Sequence, residues 1–122
     1  MSHVLVLDIG KTHAKALVFD AALNCVHRVQ RASAVVHGAP YPHLDVNRLW
    51  AWMLEAMRDA AARFRIGGLN IAAHGATAAL VDPARGEDGL VLPVLDYEFE
   101  GPALVAGYDS LRPPFAETLS PA

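Results

Sequence analysis

Apolar residues recur along the chain at two different spacings, which predict strands toward the N-terminus and one helix in the middle. The run 3–8 is nearly all apolar, as is typical of a strand buried on both faces, and 14–19 predicts a second strand. Asn24 suits a positive φ in the turn that follows. Residues 25–36 are more polar and predict a long third strand near a sheet edge. Further along, apolar residues recur at helical spacing and predict a helix with one apolar stripe, formed by Leu49, Met53, Ala56, Met57, Ala60 and Phe64.

The ends of this helix carry recognisable signals. Asp45 is a credible N-cap, because its side chain can accept a hydrogen bond from a free N–H of the first turn. Gly67-Gly68 is expected to end the helix. The apolar run 69–74 then predicts a fourth strand, which a helical crossover would place parallel to its neighbour.

The rest of the chain gives weaker signals. Residues 77–81 and 90–95 are compatible with two further strands, joined by a polar, turn-rich loop at 82–89. The tail at 108–121 has a loop-like composition.

Length and composition exclude several classes of protein. A chain of 122 residues is enough for one small domain, and 53% apolar with 19% charged residues is a core-forming composition. The net charge is −3 without a basic cluster, which argues against nucleic-acid binding. No apolar run approaches the roughly 18 residues of a membrane span. The single cysteine, Cys25, excludes an internal disulfide and is expected to be buried, and with no signal peptide this predicts a cytoplasmic location.

The turn between the first two strands concentrates the chemistry. Asp8 follows the first strand and could hold Mg²⁺ directly or through its waters. Gly10 allows a sharp bend and a close approach to phosphate oxygens. Lys11, Thr12 and Lys15 add donors and positive charge. Such a turn predicts a site for a metal-bound polyphosphate, although an ordinary hairpin with a solvated turn accounts for the same residues.

This turn resembles the first phosphate motif of the FGGY carbohydrate kinases, which belong to the actin/hexokinase/Hsp70 superfamily. The segment 8–15 reads Asp-Ile-Gly-Lys-Thr-His-Ala-Lys, and the family form is Asp-x-Gly-Thr-Thr-x-x-Arg or Lys. Lys11 replaces the first threonine of that form. The resemblance implies binding of ATP with Mg²⁺, with Asp8 as the metal-binding residue.

Two later segments resemble the sugar-binding parts of the same family. His74 and Gly75 lie just beyond a predicted strand end, where open α/β sheets bind ligands. The family carries a glutamine or histidine followed by glycine there, near the sugar; a histidine bonded only within its own turn is the alternative. Asp96, Tyr97 and Glu98 stand where the family has an acid and an aromatic residue. Asp96 directly follows the predicted strand and Glu98 matches the family spacing better, so either acid could contact the sugar, and an acidic loop without that role also fits.

The resemblance implies an α/β fold, a ribonuclease-H-like (actin-like ATPase) mixed sheet of order β-β-β-α-β, with residues 1–122 forming an incomplete first lobe. The second lobe and the general base, an aspartate in the family, would lie downstream of this chain. The complete enzyme is expected to phosphorylate a sugar or polyol hydroxyl, and the 122 residues alone are expected to be inactive.

The expected partners are a small-molecule sugar and the remainder of the chain, with no nucleic acid or membrane, and a homodimer is left open. The first motif and the segment 96–98 look closer to deoxyhexulose kinases than to glycerol kinases. A non-catalytic actin-like nucleotide-binding or assembly module could use the same turn, and a free-standing small α/β binding domain is a third hypothesis.

Overall fold

A sheet with a single long helix packed on one face forms the centre of the computed structural model, which describes residues 1–86, 88–99, 101, 107, 111 and 113–119. In chain order the elements are β1 (His3–Ile9), β2 (His13–Phe19), β3 (Cys25–Ala32), β4 (Val35–Val36), β5 (His43–Leu44), α1 (Val46–Arg63), β6 (Ile66–Ala73) and α2 (Phe115–Thr118). Among these described residues, no helix is long and apolar enough to cross a membrane.

The main sheet has the strand order β3-β2-β1-β6. β1 pairs antiparallel with β2, and β2 pairs antiparallel with β3. β6 returns after the helix and pairs parallel with β1, so the predicted parallel crossover strand is confirmed. The predicted edge position of the third strand is also confirmed. The mixed sheet has the predicted β-β-β-α-β order of a ribonuclease-H-like fold, with the short antiparallel pair β4–β5 added before the helix.

The core lies between α1 and one face of this sheet. The buried apolar residues of this cluster come from β1, β2 and α1: Leu5, Leu7, Ala16, Val18, Ala56 and Ala60. Met53, Met57 and Phe64 pack against them, which confirms the predicted apolar stripe. Asp45 caps the helix as predicted, because its Oδ1 accepts from the Arg48 N–H at 3.0 Å.

The helix ends earlier than the sequence predicts. α1 stops at Arg63, and Phe64 is already extended with its ring packed against the core. Gly67-Gly68 lies inside β6, so its interpretation as a helix stop is wrong. The need for glycine is steric at Gly67, because a Cβ there would approach Ser2 Cβ to 2.6 Å.

Burial in the first strands differs from the prediction. Val4 is 44% exposed in β1, so the expected burial on both faces is wrong for the described residues. Cys25 is exposed, not buried. The pairing of β2 with β3 shifts register next to Phe19, and Cys25 lies at the strand end beyond that shift. In the preceding turn the positive φ of 63° belongs to Leu23 and not to Asn24.

The later predictions of strands are wrong. Residues 77–81 and 90–95 contribute only isolated bridges, Val81 with Leu90 and Leu95 with His43. Val81 is 61% exposed, so no neighbouring strand among the described residues buries it. The third strand ends at Ala32 instead of Val36. Of the predicted loop 108–121, the structure describes 111 and 113–119, and Phe115–Thr118 there is a short helix.

Candidate functional site

The β1–β2 hairpin presents a carboxylate and an ammonium group side by side. Asp8 and Lys15 are directly opposite each other in the strand register, and Lys15 Nζ donates to Asp8 Oδ2 at 2.9 Å. Successive strand residues point to opposite faces of the sheet, so Asp8 lies on the other face from the buried Leu7. Both charged side chains are about one-third exposed, at 36% and 33%. They therefore remain accessible to a ligand that approaches this face.

The turn of the hairpin is tight at Gly10. Its N–H donates to the His13 carbonyl at 3.0 Å, and a Cβ at Gly10 would lie 2.9 Å from that same oxygen. Ser33 fixes the turn from outside, since its hydroxyl donates to the Gly10 carbonyl at 3.0 Å and its N–H donates to the Thr12 carbonyl at 2.9 Å. The Thr12 side chain is exposed beside the ring of His13.

This crowding makes Gly10 sensitive to the smallest substitution. We expect Gly10→Ala to lower the free energy of unfolding by roughly 1–3 kcal/mol, because the added methyl meets a backbone carbonyl that already closes the turn. Gly38→Ala is the control, since a Cβ there meets nothing within 4 Å. Urea unfolding of both variants checks this, and equal midpoints would show that the turn accommodates a side chain.

Lys11 extends from the turn to the second predicted segment. Its Nζ donates to Asp96 Oδ1 and lies 3.1 Å from Glu98 Oε2. The same ammonium lies 4.5 Å from the centroid of the Tyr97 ring, and that ring lies 5.5 Å from the imidazole of His74. Lys11 of the predicted phosphate turn therefore contacts all three residues of the acidic segment, and His74 joins them through the Tyr97 ring.

The pKa directions agree with this geometry. Bonding to Asp96 raises the pKa of Lys11 above its usual 10.5. Bonding to Lys11 lowers the pKa of Asp96 below its usual 3.8. Both groups are therefore charged at neutral pH. The stabilisation they give is present between the two ordinary pKa values and is lost only in stronger acid or base.

A small cavity lies where the parallel strands β1 and β6 end. Gly10 and Lys11 follow β1, His74 follows β6, and all three line this cavity of about 40 Å³. Its other walls come from Ile9, Arg31, Ala32, Ser33, Ala34, Leu44, Asp45, Arg48 and Leu49. A volume of about 40 Å³ is far below the roughly 300–1,000 Å³ of ligand pockets, so this cavity by itself is too small to enclose a sugar or a nucleotide.

A larger cavity, of about 420 Å³, lies between the β4–β5 pair, the start of α1 and residues 88–94. It is large enough for a small ligand. None of the predicted site residues lines it.

Gly75 and Thr77, just beyond β6, line neither of these two cavities. Gly75 is exposed, and Thr77 is the partner of His74, with its Oγ1 3.4 Å from either ring nitrogen.

Several residues of the site were missed at the sequence level. Ser33 was assigned to the interior of the third strand, although it bonds the phosphate turn. Tyr41 has no role in the sequence analysis, and its hydroxyl donates to the Pro93 carbonyl at 2.8 Å. The Asp96 N–H donates to the Pro42 carbonyl at 3.0 Å. The segment at 41–44 thus holds the acidic segment in place, and no local sequence signal indicates contacts over such separations.

The side chains of the site suit Mg²⁺ held by one carboxylate and by ligand phosphates, and not a metal ion held only by protein side chains. No group of three or more His, Cys, Asp or Glu side chains among the described residues could hold a metal ion. Asp8 offers one accessible carboxylate, and its Oδ1 takes no bond from another described residue. Mg²⁺ keeps several waters and is often bound through one carboxylate plus substrate phosphates, so this arrangement fits that ion.

The fold belongs to the ribonuclease-H-like or actin-like ATPase class, and the predicted phosphate turn follows its first strand. No protein-family model matches the chain. Among solved structures, a carbohydrate kinase from Novosphingobium aromaticivorans is 33% identical with a TM-score of 0.81, covering 97% of this chain and 25% of that one. A xylulose kinase from Rhodospirillum rubrum, 20% identical with a TM-score of 0.67 over 93% of this chain and 25% of its own, shows the same fold.

Curated sequences give a consistent result. A glycerol kinase from Cereibacter sphaeroides (strain ATCC 17025 / ATH 2.4.3) is 35% identical over 78 residues, which are 63% of this chain and 16% of that protein. A glycerol kinase from Shewanella halifaxensis is 32% identical over 76 residues, 62% of this chain and 15% of its own length. The chain thus spans about a sixth of the curated relatives it matches. The resemblance of its N-terminal part to the FGGY carbohydrate kinases is confirmed.

Proposed function

We propose that residues 1–122 are the N-terminal part of the first lobe of a carbohydrate kinase. The complete enzyme transfers the γ-phosphoryl group of ATP to a hydroxyl of a sugar or polyol. The observation that carries this proposal is the meeting of two predicted segments at the ends of parallel strands. Gly10 and Lys11 after β1, and His74 after β6, line one cavity. Ligands of open α/β sheets bind at this kind of edge.

The hairpin supplies the phosphate side of the proposed site. Gly10 lets the backbone approach the phosphates, while Thr12 and Lys15 donate to their oxygens. Asp8 holds Mg²⁺, directly or through water. When bound, that ion would neutralise charge on the phosphates. Lys15, already 2.9 Å from Asp8, keeps the carboxylate oriented before the nucleotide arrives.

The segment after β6 and the acidic segment supply the substrate side. Asp96 or Glu98 accepts hydrogen bonds from sugar hydroxyls, and His74 can both donate and accept. The Tyr97 ring packs against the apolar side of the sugar, and Gly75 leaves room beside it. The presence of these residues favours a kinase over the alternative of an actin-like assembly module, which needs no sugar-binding segment. We assign no general base within this chain.

A direct assay tests the proposal. The complete enzyme, supplied with Mg-ATP and a panel of ketoses, pentuloses and polyols, is expected to release ADP with at least one class of substrate. The 122-residue chain alone is the matched control and is expected to release none above background. Nucleotide binding without substrate-dependent ADP release by the complete protein would favour the assembly module instead. A cytoplasmic location and a homodimer remain predictions.

A further inference from the structure

Lys11 is the position at which the first motif departs from its family form, and its contacts are unlike those expected of a phosphate ligand. Its ammonium donates to Asp96 and lies 3.1 Å from Glu98, 85 and 87 positions along the chain. The side chains of Lys11 and Asp96 are only 21% and 14% exposed. The face of Tyr97 covers the ammonium from another side. Solvent therefore screens this pair less than an ordinary surface ion pair.

These contacts determine which Asp96 oxygen is available. Oδ1 accepts from Lys11 and also from the Glu98 N–H at 3.3 Å. The backbone of Asp96 is held by the Pro42 carbonyl. No bond from the described residues engages Oδ2. One carboxylate oxygen is thus fixed, and the other remains to accept a hydrogen bond from a hydroxyl group.

We propose that Lys11 is a positioning residue of the substrate site, which fixes Asp96 and the Tyr97 ring so that Asp96 Oδ2 and His74 receive the hydroxyls of a sugar or polyol. An ionised carboxylate only accepts hydrogen bonds, so Asp96 Oδ2 suits a substrate that donates from hydroxyl groups. The inference rests on the proposed kinase function and deepens it by giving Lys11 a role on the substrate side.

The test separates substrate affinity from nucleotide affinity in the complete enzyme. We expect Lys11→Met to raise the KM for the sugar by about tenfold, because a charged hydrogen bond that orients Asp96 is lost, with the KM for Mg-ATP changed less than about twofold. Lys11→Arg, which keeps the charge, is expected to recover most of the affinity. Arg58→Met, at an exposed position of α1, is the control for loss of a positive charge.

A double-mutant cycle shows whether Lys11 acts through Asp96. Asp96→Asn alone is expected to raise the sugar KM. Adding Lys11→Met is expected to raise it little further, because both changes disrupt the same hydrogen-bonded pair of Lys11 and Asp96. Additive effects would overturn the inference. So would a rise confined to the Mg-ATP constant, an equal rise in both constants, or no change in either.

The wild-type enzyme in the same assay distinguishes the two levels of the proposal. Sugar-dependent turnover by the wild type, together with an unchanged sugar KM in Lys11→Met, overturns the role of Lys11 and leaves the kinase function standing. Absence of turnover with every sugar and polyol overturns the kinase function and the substrate role of Lys11 with it. If Lys11→Met fails to fold, Lys11→Gln, which removes the charge but keeps a polar side chain, replaces it in both comparisons with the same expected and contradicting results.

Discussion

Replacing Asp8 with asparagine is expected to lower the kcat of the proposed complete kinase by roughly a hundredfold to a thousandfold, the size of effect seen when one group that stabilises transition-state charge is removed. The amide keeps the size of the side chain and removes the negative charge of the carboxylate, which we propose binds Mg²⁺. The ion pair with Lys15 is lost as well, but both partners are about one-third exposed, so little stability should depend on it.

The expected combination for Asp8→Asn is therefore a large loss of turnover with a nearly unchanged unfolding midpoint. The comparison variant is Glu55→Gln, which removes a carboxylate charge from an exposed position of α1 and should leave both quantities unchanged. Steady-state kinetics over a range of Mg²⁺ concentrations and thermal unfolding measure the two effects. Near-normal turnover in Asp8→Asn would remove Asp8 from the mechanism.

The largest effect on stability is expected from Leu7→Ala. Leu7 is 1% exposed and lies in β1 within the cluster between the sheet and α1. Its truncation removes buried methyl groups and leaves a cavity, which typically costs about 2.7–5 kcal/mol for a leucine. Because Leu7 directly precedes Asp8, movement of β1 into the cavity should also lower activity.

Leu23→Ala is the matched control for Leu7→Ala. It is the same substitution at a side chain that is 81% exposed, and it should change the free energy of unfolding by less than about 0.5 kcal/mol. Urea unfolding of the two variants under identical conditions gives the comparison. A loss below about 1 kcal/mol for Leu7→Ala would show that the cluster between β1 and α1 is not the stabilising core.

Local patterns predicted the elements that depend on local physics. The first two strands, the Asp45 cap and the apolar stripe of α1 follow from the spacing of apolar residues and from one capping side chain. Gly67-Gly68 shows where local interpretation fails. A glycine pair after a helix looks like a stop signal, yet Gly67 is needed because Ser2 lies against it across the sheet.

The sequence suggested candidate residues for the site but not the contacts between them. Asp8 and Lys11 were proposed from the first motif, and His74 from its place beyond a strand end and the family resemblance. The pairing of Lys11 with Asp96 spans 85 positions and depends on how the segment at 93–96 docks against 41–44. This docking uses backbone hydrogen bonds and the Tyr41 hydroxyl, between segments about 50 positions apart, so no local sequence pattern indicates it. The hydrogen bond from the Ser33 hydroxyl to the Gly10 carbonyl spans 23 positions and has no local sequence signal either.

The central claim is that the β1–β2 hairpin binds the phosphates of a nucleotide. A crystal structure of the complete protein with Mg²⁺ and a nonhydrolysable ATP analogue tests it most directly. We expect phosphate oxygens within hydrogen-bonding distance of the turn at 10–12 and of Lys15, with the metal ion beside Asp8. A nucleotide bound elsewhere, with the hairpin making no contact to it, would contradict the claim.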